Sequence, residues 1–124
     1  MKSKYIDGYE GEGEVFIYCA DDDTNGLLIW EGYFEFLLSS CYYQDFPNGG
    51  LLEAYYNCNG FYDDSPWKIK DISIIIEELK HFSVKKCETT SKKNIDVITE
   101  LKNDLMLFFK KAILEKKEVL IEYN

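Results

Sequence analysis

The sequence predicts an α+β fold in which a small β-sheet packs against three or four helices in a single domain. Three observations lead to this prediction. The chain has 124 residues, enough for one hydrophobic core. Apolar, β-prone runs at 15–20 and 118–123 indicate a strand in each half of the chain. Apolar residues at helical spacing over 95–113 predict a long amphipathic helix between them.

The first 43 residues alternate turn-rich and apolar segments. Residues 5–14 contain three glycines and predict an exposed turn, and 15–20 predict a buried strand. Residues 21–26 predict a loop, because adjacent like charges disfavour regular structure. Residues 27–43 fit a helix and, in part, strand alternation. We predict a helix, because 17 residues without a turn signal exceed the usual strand, although Gly32 costs a helix interior about 1 kcal/mol.

The next segments are shorter and broken by turn residues. Residues 45–50 have the composition of a turn, 51–56 predict a short helix, and 61–67 predict an acidic aromatic loop. Asp71 is the predicted N-cap of a helix that ends near His81.

The last third of the chain contains the clearest periodicity. A short edge strand is predicted at 83–86, and a polar connector is predicted at 85–93. Asn94 or Asp96 is the predicted start of the long helix. Residues 118–123 then form a strand, which we expect to pair with the first strand.

Negative charge and aromatic rings are concentrated in residues 1–64. This acidic aromatic half contains 13 of the 23 carboxylates and 15 of the 20 aromatic residues, with Lys2 and Lys4 as its only cations, so its net charge is −11. The helical half, 65–117, and the terminal strand, 118–124, together carry +2. An acidic, ring-rich surface attracts cationic proteins over long range and offers them side chains to bury.

The overall charge of −9 and the absence of arginine argue against direct binding to nucleic acid or to an anionic membrane. Residues 1–7 lack the apolar core of a signal peptide, and no uncharged 18-residue span is present, so we expect a cytoplasmic protein. The cysteines form no CxxC pair, which argues against a zinc or redox site, and no cofactor is predicted. They are Cys19, Cys41, Cys58 and Cys87.

One segment partly matches a calcium-binding loop. Asp21, Asp23, Asn25 and Gly26 occupy the first, third, fifth and sixth positions of the pattern. The twelfth position, which should be a bidentate Glu, is Gly32. We therefore favour an acidic turn over a metal site.

Catalytic residues are equally incomplete. His81 is the only histidine and is predicted at a helix end, where a capping or surface role is more common than acid–base catalysis. Asp63 and Asp64 could serve a hydrolase as a carboxylate pair, but neighbouring side chains usually diverge in direction. A small calcium-dependent or carboxylate-pair enzyme is therefore the least favoured alternative, and the sequence predicts a protein that is not an enzyme.

The chain resembles, in its small size, acidity and richness in tyrosine, the immunity proteins of bacterial toxin systems, in particular those of contact-dependent growth inhibition. The resemblance implies binding to a cognate basic toxin domain, often a nuclease, whose active site or substrate groove is occluded. The alternative is a nucleic-acid mimic or adaptor that blocks a basic host protein. Its carboxylates should be spread along the surface at phosphate-like spacing.

Two kinds of residue are predicted to bind such a partner. Acids in loops can meet lysine and arginine, and large aromatic side chains dominate interface energetics. The candidate acids are Asp21, Asp22, Asp23, Asp63 and Asp64, and the candidate anchors are Tyr55, Tyr56, Tyr62 and Trp67.

Overall fold

Five strands form a mixed sheet in the computed structural model, which describes residues 2–88 and 91–124, without the side chains of residues 2 and 3. The strands are β1 (Lys2–Tyr5), β2 (Glu14–Cys19), β3 (Asp22–Trp30), β4 (Trp67–Lys68) and β5 (Val119–Tyr123). Their order across the sheet is β1-β3-β2-β5-β4. The β1–β3 pair is parallel and the other pairs are antiparallel.

Four helices complete the core with one face of this sheet. They are α1 (Glu31–Cys41), α2 (Leu51–Asn57), α3 (Ile72–Lys80) and α4 (Lys92–Leu114), with short 3-10 turns at Gly60–Tyr62 and Val84–Lys86. Alternate strand residues such as Ile17, Ile29 and Ile121 are fully buried and share one cluster with Phe34 of α1 and Phe109 of α4. The predicted α+β class is therefore confirmed. None of the described helices is both long and apolar enough to cross a membrane.

Several predicted elements occur where the sequence indicated them. The two apolar runs pair as antiparallel β2 and β5, with Ile17 opposite Ile121. The short helix α2 follows the predicted turn. Asp71 caps α3, since its Oδ1 accepts a hydrogen bond from the Ser73 N–H at 3.0 Å.

The prediction for residues 21–43 was wrong in two ways. Asp22 already belongs to β3, so the predicted loop over 21–26 is reduced to a tight turn between β2 and β3. Residues 22–25 are exposed, so their charges remain in water although the backbone is extended. The predicted helix begins only at Glu31, because Leu27 and Ile29 alternate into the core opposite Ile17 and Val15. Leu27 and Ile29 also fit a helical spacing, but pairing with β2 holds them in a strand.

Three further boundaries differ from the predictions. Residues 84–86 form a 3-10 turn and no edge strand. The long helix begins at Lys92, after Ser91 as its N-cap. In the predicted exposed segment 5–14, Tyr5 is buried and donates a hydrogen bond to Asp104 of α4. The predicted polar connector includes residues 89 and 90, which lie outside the described residues.

A buried carboxylate joins α3 to the start of α2. Glu78 is 2% exposed. Its Oε1 accepts a hydrogen bond from the Leu51 N–H at 2.9 Å, and its Oε2 accepts one from the Leu52 N–H at 3.3 Å. These donors belong to the first turn of α2 and have no partner within the helix. Gly50 leaves room for the carboxylate, since a Cβ there would overlap it.

Burial raises the pKa of Glu78 to about 7, and the two backbone hydrogen bonds only partly oppose this effect. The folded protein therefore holds this proton at pH values where the unfolded chain, with an ordinary glutamate pKa of 4.5, has lost it. The contribution of Glu78 to stability is therefore complete below about pH 4.5 and falls as the pH rises to about 7.

We expect Glu78→Gln to flatten the dependence of the free energy of unfolding on pH between 5 and 8. The wild type should lose on the order of 2 kcal/mol more than the variant across this range. Urea unfolding of both proteins at several pH values measures the difference. Equal slopes for the two proteins would show that Glu78 titrates in the ordinary range.

Candidate protein-binding site

The predicted aspartates lie at opposite ends of the sheet. Asp21–Asp23 follow β2 at the end where Cys19 pairs with Val119. Asp63 and Asp64 precede β4 at the other end, where the Tyr123 N–H donates to Ser65 Oγ at 2.9 Å. The six residues of β2 separate these ends by roughly 17 Å. The structure therefore does not bring the two groups of acids together.

Two of the three aspartates after β2 have partners within the chain. Asp21 forms a salt bridge with Lys117. Asp22 Oδ1 accepts from the Thr24 N–H at 3.1 Å, and its Oδ2 accepts from Asn25 Nδ2 at 2.6 Å. The hydrogen bonds from Thr24 and Asn25 lower the pKa of Asp22. Asp21 and Asp22 therefore stabilise this end of the sheet as well as carrying charge.

The three predicted tyrosines, in contrast, do come together. Tyr55 and Tyr56 lie on α2 with ring centroids 4.9 Å apart, and the Tyr55 ring is 6.5 Å from that of Tyr62. Tyr62 in turn packs at 4.8 Å against Tyr123 of β5. Tyr56 is the most exposed of these rings, at 43%.

Trp67 is separate from this row of rings. Its side chain is half-buried against the core, with its ring 5.9 Å from that of Phe61, which is fully buried. Trp67 therefore packs beside Phe61 and makes no ring contact with the three predicted tyrosines among those that the structure describes.

Three glutamates surround the tyrosine row. The Tyr123 hydroxyl donates to Glu31 Oε1 at 2.8 Å. Burial raises the pKa of Tyr62, and the charges of Glu35 and Glu31 raise it further. Burial is the main cause of the raised pKa of Tyr55 and Tyr56, and the charge of Glu88 raises the pKa of both further. We call this set the tyrosine–glutamate surface: Glu31, Glu35, Tyr55, Tyr56, Tyr62, Glu88 and Tyr123.

The carboxylates of this surface repel one another. Partial burial is the main cause of the raised pKa of Glu35, and the like charges of Glu31 and Glu88 add to it. Among the described residues, neither Glu31 nor Glu35 takes part in a salt bridge. A cation from another molecule would relieve this repulsion and could also stack on the tyrosine faces.

The sequence contained a signal for Glu31 and Glu35 that the prediction did not use. Like charges four residues apart destabilise an isolated helix by a few tenths of a kcal/mol. The spacing of these two like charges was therefore the signal in the sequence that Glu31 and Glu35 do not serve helix stability. No local signal could place Tyr123 beside Glu31, because they are 92 residues apart and meet only through the sheet.

The metal and catalytic alternatives gain no support from the geometry. The segment resembling a calcium loop forms the start of β3 instead. Among the described residues, no group of three or more potential ligands could hold a metal ion. His81 ends α3 and stacks on Tyr43 with ring centroids 3.6 Å apart. All four cysteines are free thiols.

The tyrosine–glutamate surface is assembled from several elements of the fold. Its residues come from α1, α2, the 3-10 turn at Gly60–Tyr62, the segment after α3 and the end of β5. A cavity of about 310 Å³ lies at the other end of the sheet and is lined by residues such as Asp22, Phe108 and Lys117. None of its lining residues belongs to the tyrosine–glutamate surface.

Comparison with protein-family models, with curated proteins and with solved structures gives no match for this chain. The geometry of the surface is therefore the basis on which a function is inferred.

Proposed function

We propose that this chain is an inhibitor of the immunity-protein type, which binds a basic toxin domain and occludes its active site or substrate groove. A nuclease is the kind of toxin that fits best, because a groove that holds phosphates is lined with lysine and arginine. The protein would act by binding alone, without a cofactor and without contacting nucleic acid itself.

The observation that carries the proposal is the tyrosine–glutamate surface. Tight protein interfaces combine rigid aromatic side chains with charges that complement the partner. Here Tyr55, Tyr62 and Tyr123 form a row of rings, and Glu31 and Glu35 lie beside it without a salt bridge to any cation that the structure describes. Asp63 and Asp64 follow Tyr62 directly and are exposed, so they would extend the same surface.

The aspartates after β2 have a different role in this proposal. They lie at the far end of the sheet, and Asp21 is already paired with Lys117. They add to the negative field that attracts a cationic partner, while the tyrosine–glutamate surface makes the contacts. Distant charges mainly change the association rate, and contacts mainly change the dissociation rate.

A specific observation favours a second candidate, a mimic of nucleic acid that blocks a basic host protein. The separation of Asp21–Asp23 from Asp63 and Asp64 spreads negative charge over the length of the sheet. The tyrosine row argues for the toxin inhibitor, because phosphate mimicry requires carboxylates but does not require half-buried rings beside them.

A direct assay separates the two candidates. The proposal requires an exported toxin encoded next to this gene. Its toxin fragment should form a stable complex with the protein, and its nuclease activity should be lost at a molar ratio near one. A host DNA-binding protein, bound in competition with duplex DNA, would instead support the mimic. If the purified toxin fragment remained fully active in excess of this protein, the inhibitor proposal would be wrong.

We expect the double variant Glu31→Gln/Glu35→Gln to weaken binding to the basic domain at least tenfold, about 1.4 kcal/mol, mainly through faster dissociation. Its melting temperature should stay the same or rise, because the substitution removes repulsion between half-buried carboxylates. Surface plasmon resonance and thermal melting provide the two measurements.

The matched control for that variant is Glu77→Gln/Glu115→Gln, which changes the net charge equally at two exposed positions outside the tyrosine–glutamate surface. It should leave the dissociation rate almost unchanged. Equal effects of the two double variants would mean that only net charge matters.

Association with the basic domain should depend steeply on salt, because screening shortens to about 8 Å at physiological ionic strength. The triple variant Asp21→Asn/Asp22→Asn/Asp23→Asn should slow association severalfold at low salt and leave dissociation nearly constant. Stopped-flow mixing over a series of salt concentrations measures both rates. An association rate that is insensitive to salt would be evidence against electrostatic steering.

A further inference from the structure

The sheet has a second face. None of the helices that the structure describes covers it. Residues that alternate away from the core place their side chains there. Phe16 lies opposite Leu28 on β3, and Tyr18 lies opposite Leu120 on β5. These four side chains are half-buried and do not belong to the core or to the side chains packed against it. We call them the outer sheet patch.

The patch is already ordered. The rings of Phe16 and Tyr18 stack at 4.5 Å with an interplanar angle of 17°. The Tyr18 hydroxyl donates to Glu122 Oε1 at 3.1 Å, which fixes the second ring in place. A partner binding here would therefore lose little free energy in ordering these side chains.

The rim of the patch is negative. Glu122 lies opposite Phe16, and Glu14 lies opposite Trp30 on the same face. Burial and Glu122 raise the pKa of Tyr18, and Asp23 contributes further. Lys68 is the cation beside Leu120, and it forms a salt bridge with Glu118 at 3.1 Å. Among the side chains that the structure describes, the charge of the rim that has no salt-bridge partner is therefore anionic.

The dimensions of the patch suit one helix. It spans β3, β2 and β5, so its width is roughly 10 Å, which is close to the diameter of an α-helix with its side chains. A second copy of this chain is a poor occupant, because the carboxylates of the two rims would meet. Nucleic acid and anionic lipid are excluded by the same charge.

We propose that the outer sheet patch docks an amphipathic helix of a partner, with an apolar stripe flanked by lysine or arginine. The stripe would cover Phe16, Leu28 and Leu120, and the flanking cations would reach Glu14 and Glu122. This surface lies on the opposite side of the sheet from the helices. The proposal does not depend on the toxin-inhibitor function.

A synthetic 14-residue helical peptide of leucine and lysine is a suitable probe, with a peptide in which glutamate replaces lysine as its control. Titration of the ¹⁵N-labelled protein should shift the amide signals of residues 16, 18, 28 and 120 with the basic peptide only. The variant Phe16→Thr/Leu28→Thr should weaken this binding roughly tenfold, since it removes buried apolar area and keeps β-branched side chains in the strands.

Two further variants keep the test decisive if that double variant is unstable. Glu14→Lys should weaken peptide binding severalfold, and Leu114→Gln, at a side chain 83% exposed on α4, should not change it. Signal shifts confined to the tyrosine–glutamate surface would overturn the proposal. So would unchanged affinity in Glu14→Lys, or sedimentation of the free protein as a dimer through this face.

Discussion

The direct passage of β3 into α1 is the constraint on which the candidate site depends. Trp30 ends the strand and Glu31 begins the helix, with no connecting loop. The Glu31 N–H donates to the Gly13 carbonyl at 3.0 Å, which fixes the first turn to the sheet. Gly32 makes the junction possible, because the Trp30 ring occupies the space of a Cβ. The carboxylate of Glu31 is thereby held beside Tyr123 of β5.

A second constraint places the tyrosines of α2. The first turn of this seven-residue helix takes its hydrogen-bond acceptors from Glu78 on α3. An isolated helix of this length is unstable in water, so tertiary contacts decide whether it forms. A carboxylate within the core therefore determines the position of Tyr55 and Tyr56 on the surface, and the free energy of this contact depends on its protonation.

The excess of acids in residues 1–64 does not place the negative charge on one face of the molecule. The acidic half 1–64 supplies both ends of the sheet, and lysines from the second half reach some of its acids, as Lys117 reaches Asp21. The glutamates of the tyrosine–glutamate surface differ, since no described cation pairs with Glu31 or Glu35. The negative charge of residues 1–64 is therefore divided between acids that are paired within the chain and half-buried glutamates that no described cation pairs with.

Sequence alone determined the α+β class, the presence of the strands β2 and β5, the Asp71 cap and the acidity of the chain, because each depends on local periodicity, composition or a short-range hydrogen bond. The tertiary structure decided where β3 ends. Leu27 and Ile29 fit both a helical and a strand pattern in the sequence, and their pairing with β2 selects the strand. It also decided which acids meet which tyrosines. Contacts such as Tyr123 with Glu31 join residues 92 positions apart, and only the assembled sheet brings them into reach.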